Sequence, residues 1–155
     1  MIYLDLEAQI KALGLELPPP PPLGGLYRPV VISGNHVYVS GQGPYRTDGS
    51  TIQGKVGLDL TADEGKLAAR QVGLTMLATL KHQLVDLNRL GRLVKTLGMV
   101  NCTPDFRQHP YVINGFSELM RDFFGEGHGV GARSAVGMML PNNIAVEIEA
   151  IFELK

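Results

Sequence analysis

A chain of 155 residues, 45% hydrophobic and 19% charged, has the length of one domain and enough apolar material for a single core, which excludes a disordered or supercharged class. Its net charge of −1 offers no electrostatic pull on nucleic acid, and no apolar run approaches the ~20 residues that span a bilayer. The opening MIYLDLEAQIKALGLEL lacks the basic and apolar regions of a secretory signal, so a cytoplasmic protein is expected, and the single cysteine, Cys102, is expected to be a packed thiol.

Leu6, Ile10 and Leu13 recur three and four apart, which predicts a short helix over residues 4–13 stopped by Gly14. Five consecutive prolines, Pro18 to Pro22, enforce an extended stretch that reads as a stiff tether in preference to a docking motif. Residues 1–24 are therefore expected to form an N-terminal helix and tether ahead of one domain over residues 25–155. Tyr27 to Ile32 and His36 to Ser40 predict two strands joined by hairpin chemistry at Ser33-Gly34-Asn35, followed by a loop at GQGPYRTDGS.

Thr61 and Glu64 make a capping box, and Ala69, Val72, Gly73, Met76, Leu80, Leu84 and Leu87 keep one face of a long helix apolar. Gly91 is read as the end of that region, and RLVKTLGMVNC as a returning strand. Pro110 opens a second helix faced by Ile113, Phe116, Met120, Phe123 and Phe124. The loop GEGHGVGA then leads into two last strands, split at Leu140-Pro141-Asn142-Asn143. The order β-β-α-β-α-β-β after a short N-terminal helix predicts an α+β fold, a mixed sheet with two helices packed on one face. The other face is left to be wet or to be buried by another subunit, with Val39, Leu97 and Ile151 expected to supply apolar surface there, so an oligomer is expected.

GHGVGA fits a degenerate GxGxxA pattern, but it follows a helix and opens a strand, the reverse of a dinucleotide fingerprint. No P-loop, HExxH or GxSxG run occurs, which removes support for phosphate cradling, zincin chemistry and the hydrolase elbow. His36, His82, His109 and His128 share neither helical spacing nor a strand face, and none is assigned chemistry. Ser40 ends a strand beside Gly41-Gln42-Gly43-Pro44, where its hydroxyl can meet a ligand or simply hold a turn. Arg133, among small residues, has room to grip a carboxylate through two parallel hydrogen bonds, although spacing alone slightly favours an ion pair with Glu147 or Glu149. Those two glutamates share one face of the last strand, and Val146, Ile148, Ala150 and Phe152 share the other.

In combination, VYVSGQGP, ARSAVGMMLP and VEIEAIFEL resemble the reactive-intermediate deaminase family, Rid or YjgF, also known as endoribonuclease L-PSP, over roughly Gly25 to Lys155. The resemblance implies a chorismate-mutase-like fold and a homotrimer with clefts between subunits. There a small 2-imino acid is hydrolysed to a 2-oxo acid and ammonia, with no metal or organic cofactor. It implies Arg133 as the carboxylate clamp, Glu147 as the residue that orients or activates water, and Tyr27, Ser40 and Asn114 as substrate-binding residues. Two departures stand out: Ser134-Ala135 removes any role of a cysteine after the serine, and the interval from Arg133 to Leu140-Pro141 is about one residue short, which predicts a bulge before Glu147. The N-terminal helix and prolines mark a divergent branch. A non-catalytic module that binds small carboxylates is the alternative, and an endoribonuclease ranks third because no basic stripe is interleaved with aromatics.

Overall fold

The computed structural model describes residues 2–155. In chain order its elements are α1 (Leu6–Ala12), β1 (Val30–Ser33), β2 (His36–Gln42), α2 (Ala62–Leu84), β3 (Leu90–Val100), α3 (His109–Phe124), α4 (Glu126–Gly129), β4 (Ala132–Gly137) and β5 (Val146–Leu154). The expected order is present with one addition, α4, a four-residue helix inside the segment expected to be a glycine-rich loop. Several boundaries differ from expectation, β2 among them, which runs on to Gln42. Tyr27 lies in a bend before β1, because pairing begins only at Val30 opposite Val39. Leu87 sits in a 3-10 turn after α2, and Gly91 lies inside β3, where a Cβ would press on the Glu153 carbonyl at 3.2 Å.

The sheet runs β1-β2-β5-β3-β4, antiparallel except for the parallel β3–β4 pair, so it is mixed. The helices cover one face only. Val37, Val39, Val146, Ile148, Ala150 and Phe152 point into that core beside Leu77, Phe116 and Phe123. The expected place of Val39 is thus corrected: it is buried under the helices, since its partner Ala150 faces inward. Leu97, opposite Glu149, and Ile151, opposite Tyr38, do lie on the open face. β3 and β5 stay in register from Lys95↔Ile151 to Val100↔Val146, so the bulge expected before Glu147 is absent from β5. The shifts fall in β2, between Val39 and Gln42, and in β3.

Residues ahead of β1 lie on the domain instead of leading away from it. Asp5 caps α1 by accepting from the Ala8 N–H at 3.2 Å, which orients Leu6 into the common core at 2% exposure. Glu7 then accepts from Lys81 Nζ at 2.8 Å and from the Leu87 N–H at 2.9 Å, and Pro18 is buried. Among the described residues, no helix is long and apolar enough to cross a membrane.

α2 and α3 come into backbone contact at Gly115, where a Cβ would fall 2.0 Å from the Lys66 carbonyl oxygen. No rotamer change relieves a clash with backbone. Gly115→Ala gains up to ~1 kcal/mol of helix propensity, and the forced separation of the helices outweighs it. A net loss of about 1–3 kcal/mol is expected, read as a lower urea midpoint at unchanged slope.

Candidate functional site

The sheet places the expected site residues in two groups. Tyr27, Ser40 and Glu147 line one cavity of about 670 Å³, together with Gly41, Gln42 and Asn142. Arg133 and Asn114 do not line it. Arg133 pairs with Thr96, which faces the helices, whereas Glu147 pairs with Met99, three residues along β3 and therefore on the opposite face.

The first group is assembled by the irregularity in β2. Val39 pairs with Ala150 and Gln42 with Ile148, so Ser40 and Gly41 together oppose Glu149. This turns Gln42 inward, 5% exposed, where its Oε1 accepts from the Thr79 hydroxyl of α2 at 2.9 Å. Ser40 donates its hydroxyl to the Arg28 carbonyl at 2.6 Å, which fixes its oxygen with lone pairs free. Gly41 leaves the space that Glu147 needs: a Cβ there would lie 2.6 Å from Glu147 Oε2. The Tyr27 hydroxyl accepts from the Gly24 N–H at 3.2 Å and keeps its own hydrogen to donate.

Glu147 is half-buried. Burial first, and then the Glu149 carboxylate beside it, push its pKa above the ordinary carboxylate value. Such a group holds a proton more tightly than a surface glutamate and is, once ionised, the stronger base.

The second group lies at the sheet edge against α3. Arg133 donates from Nη1 to the Ser117 hydroxyl at 3.0 Å and from Nη2 to the Pro110 carbonyl at 3.3 Å. Asn114 falls between those residues on the same helical stripe. Among the described residues Arg133 pairs with no carboxylate, so the ion pair with Glu147 or Glu149 favoured by spacing does not form. Opposite sheet faces keep the charges apart.

Sequence reasoning missed three parts of the cavity. Pro21 and Pro22 line it, so the proline run is wall as well as connector. Gln42 was legible only as a neighbour of Ser40. Asn142 and Asn143 both adopt left-handed backbone, φ 54 and 55, a conformation asparagine tolerates better than most residues. Their succession after Pro141 was the available signal. Elsewhere, Cys102 Sγ lies 3.3 Å from His109 Nε2, and burial pushes the thiol pKa up, which disfavours the nucleophilic thiolate. Among the described residues no group of three or more histidine, cysteine, aspartate or glutamate side chains is placed to hold a metal ion.

A mixed five-stranded sheet with helices on one face, a cavity at the β2–β5 irregularity and an arginine at the far edge define a chorismate-mutase-like α+β protein. Residues 7–149 match the family described as "YjgF/chorismate_mutase-like, putative endoribonuclease", and the chain belongs to that family. It is 40% identical over 150 residues to protein TCP17 of Trypanosoma cruzi, covering 96% of this chain and 94% of that protein. The crystal structure of Atu1372 from Agrobacterium tumefaciens, 40% identical, superposes with a TM-score of 0.87 over 97% of this chain and 94% of that one. RidA of the Antarctic bacterium Psychrobacter sp. PAMC 21119, 27% identical, has a TM-score of 0.56 over 86% of this chain and 92% of its own.

Because Glu149 contributes to the raised pKa of Glu147, Glu149→Gln is expected to lower the Glu147 titration midpoint without returning it to the ordinary value, burial being the larger cause. Carboxyl-carbon NMR titration of wild type and variant checks this. An unmoved midpoint would show that the two carboxylates do not sense one another.

Proposed function

We propose that the protein hydrolyses small 2-imino acids to 2-oxo acids and ammonia in clefts between the subunits of a homotrimer. The observation that carries this reading is the division of the site: the half with a base and the half with a carboxylate clamp occupy opposite faces of one protomer's sheet. A complete site then needs two copies, and the open face that bears Tyr38, Leu97 and Ile151 offers the surface on which a second copy packs.

The chemistry asks little beyond positioning. Arg133 spends two of its five N–H donors on Ser117 and Pro110, which aim the guanidinium, and the others hold the substrate carboxylate. Glu147 takes a proton from water as the oxygen bonds to the imine carbon and the C=N electron pair moves to nitrogen. That proton passes to the nitrogen to give a carbinolamine, and Glu147 then relays the remaining hydroxyl proton to the amine as the C–N bond breaks, so that ammonia leaves and the carbonyl forms. Tyr27 donates to the oxygen-bearing end, Ser40 accepts from the N–H, and Asn114 lies on the clamp side.

The endoribonuclease in the family description fits this chain less well. Glu147 and Glu149 stand together on the open face of a chain with net charge −1 and would repel a phosphate there, while the basic Arg92 and Lys95 lie further along β3, opposite Glu153 and Ile151. The unpaired Cys102 suits a reducing compartment such as the cytoplasm.

Ammonia release from 2-iminobutanoate, generated in the assay by an amino-acid oxidase, tests the reaction. Glu147→Gln is expected to slow it about 10²- to 10⁴-fold. Arg133→Lys is expected to leave activity near that of Arg133→Ala, since a point charge does not reproduce the fork. Co-refolding equal amounts of Glu147→Gln and Arg133→Ala chains should restore roughly a quarter of wild-type turnover, because one cleft in four then joins an intact arginine to an intact glutamate. No recovery, or a monomer by light scattering, would overturn the shared cleft.

The pH dependence of stability has a definite sign. With its folded pKa raised above the unfolded value of 4.5, Glu147 binds more protons folded than unfolded, so its contribution to stability is lost as pH rises from there through the folded pKa. Glu147→Gln is therefore expected to melt at or above the wild-type temperature at neutral pH while losing activity, measured by calorimetry on the assayed samples.

A further inference from the structure

On the helix layer, opposite the open sheet face, α2 and α3 leave a cavity of about 610 Å³ whose lining includes Gly115. Leu13 and Leu15, in the segment after α1, face Leu67 of α2 and Leu119 of α3 across it. The charged groups at its wall have hydrogen-bond partners with one exception. Asp63 accepts from the Tyr111 hydroxyl, Lys66 pairs with Glu118 at 3.2 Å, and Asp122 pairs with Arg121 at 2.9 Å. Arg70 is left over. Its Nη1 is buried and has no hydrogen-bond partner, the sole such side-chain nitrogen or oxygen among the described residues, and Glu16 in the adjoining cleft forms no ion pair with it.

A buried cationic donor without an acceptor is costly to fold, and such groups are nearly always satisfied. Arg70 is the one charged group here without a partner, set among leucines, and the three carboxylates at the wall would repel a dianion more strongly than a monoanion. We infer that this cavity binds a small monocarboxylate with an apolar tail, its carboxylate on Arg70 and its tail between Leu13, Leu15, Leu67 and Leu119. The volume falls within the range of small-molecule pockets. The site lies on the face away from Ser40 and Glu147, so copies that pack on the open sheet leave it accessible, and it does not depend on the deamination reading.

Titration calorimetry with octanoate, octan-1-ol and octylamine tests the inference. Wild type should bind one octanoate per chain and raise its melting temperature with it, while the alcohol and the amine bind at least tenfold more weakly. Arg70→Met, which keeps the length and removes the charge, should weaken octanoate roughly ten- to a hundredfold and melt no lower than wild type without ligand. Leu67→Glu, at a position 64% exposed, places a repelling carboxylate at the mouth and should act likewise, which decides the matter if Arg70→Met does not fold. Arg133→Ala should bind octanoate as wild type does, separating this cavity from the proposed deaminase cleft. No octanoate binding at millimolar concentration, unchanged affinity in Arg70→Met or Leu67→Glu, equal affinity for octan-1-ol, or loss in Arg133→Ala would each overturn it.

Discussion

β5 has one workable register, and the rest of the structure follows from it. The strand is central, paired with β2 on one side and β3 on the other. A slip of one residue would expose Val146, Ile148, Ala150 and Phe152 and turn Glu147, Glu149 and Glu153 into the core. Each large apolar side chain is worth about 1.5–3 kcal/mol on burial, and each buried carboxylate would add a desolvation cost, so no alternative pairing competes. That register fixes where the helices lie, which face stays open, and that Glu147 stands on the open face beside Ser40 while Arg133, three positions out of phase across β3, faces α3.

The candidate site is built by departures from regularity laid over this frame. The two-for-one pairing at Ser40-Gly41 re-aims Gln42 toward α2 and leaves room for the Glu147 carboxylate over a glycine. Asn101 is buried and joins two loops, donating to the Gly54 carbonyl at 3.2 Å and to Asn143 Oδ1 at 2.9 Å. This ties down the turn in which Asn142 and Asn143 hold left-handed backbone. A half-buried carboxylate with a raised pKa, beside a like charge, is unfavourable for folding and suited to proton transfer. The Arg133 half is different in kind: its contacts with α3 orient the guanidinium without neutralising it.

The segment before β1 touches both cavities. Leu13 and Leu15 line the one on the helix layer, and Pro21 to Gly24 line the one at Glu147. Proline restricts the chain even when unfolded, so ordering this stretch on the surface costs less entropy than ordering an equal length of other residues. Its N-terminal end is held by Leu6 in the core and by Glu7 on Lys81 and Leu87, which is why the prolines follow the domain surface.

Local chemistry in the chain determined much of this protein. The Thr61–Glu64 box and the apolar stripes of α2 and α3 announce the helices, since capping and 3.6-residue periodicity act within a few residues of one another. Alternation in VEIEAIFEL announces which residues of β5 share a face, and the family motifs point to Tyr27, Ser40, Asn114, Arg133 and Glu147. Only the tertiary structure decided which of those residues meet. The division into two groups depends on how β3 registers with both β4 and β5. The burial of Val39, the absence of a bulge in β5 and the packing of the prolines likewise depend on partners far away in sequence. So does the isolation of Arg70, whose neighbours Leu13, Leu15 and Leu119 come from other segments. Side-chain periodicity is written into consecutive residues, but the pairing of strands and the matching of charges are settled by which surfaces pack, and a single chain segment does not carry that information.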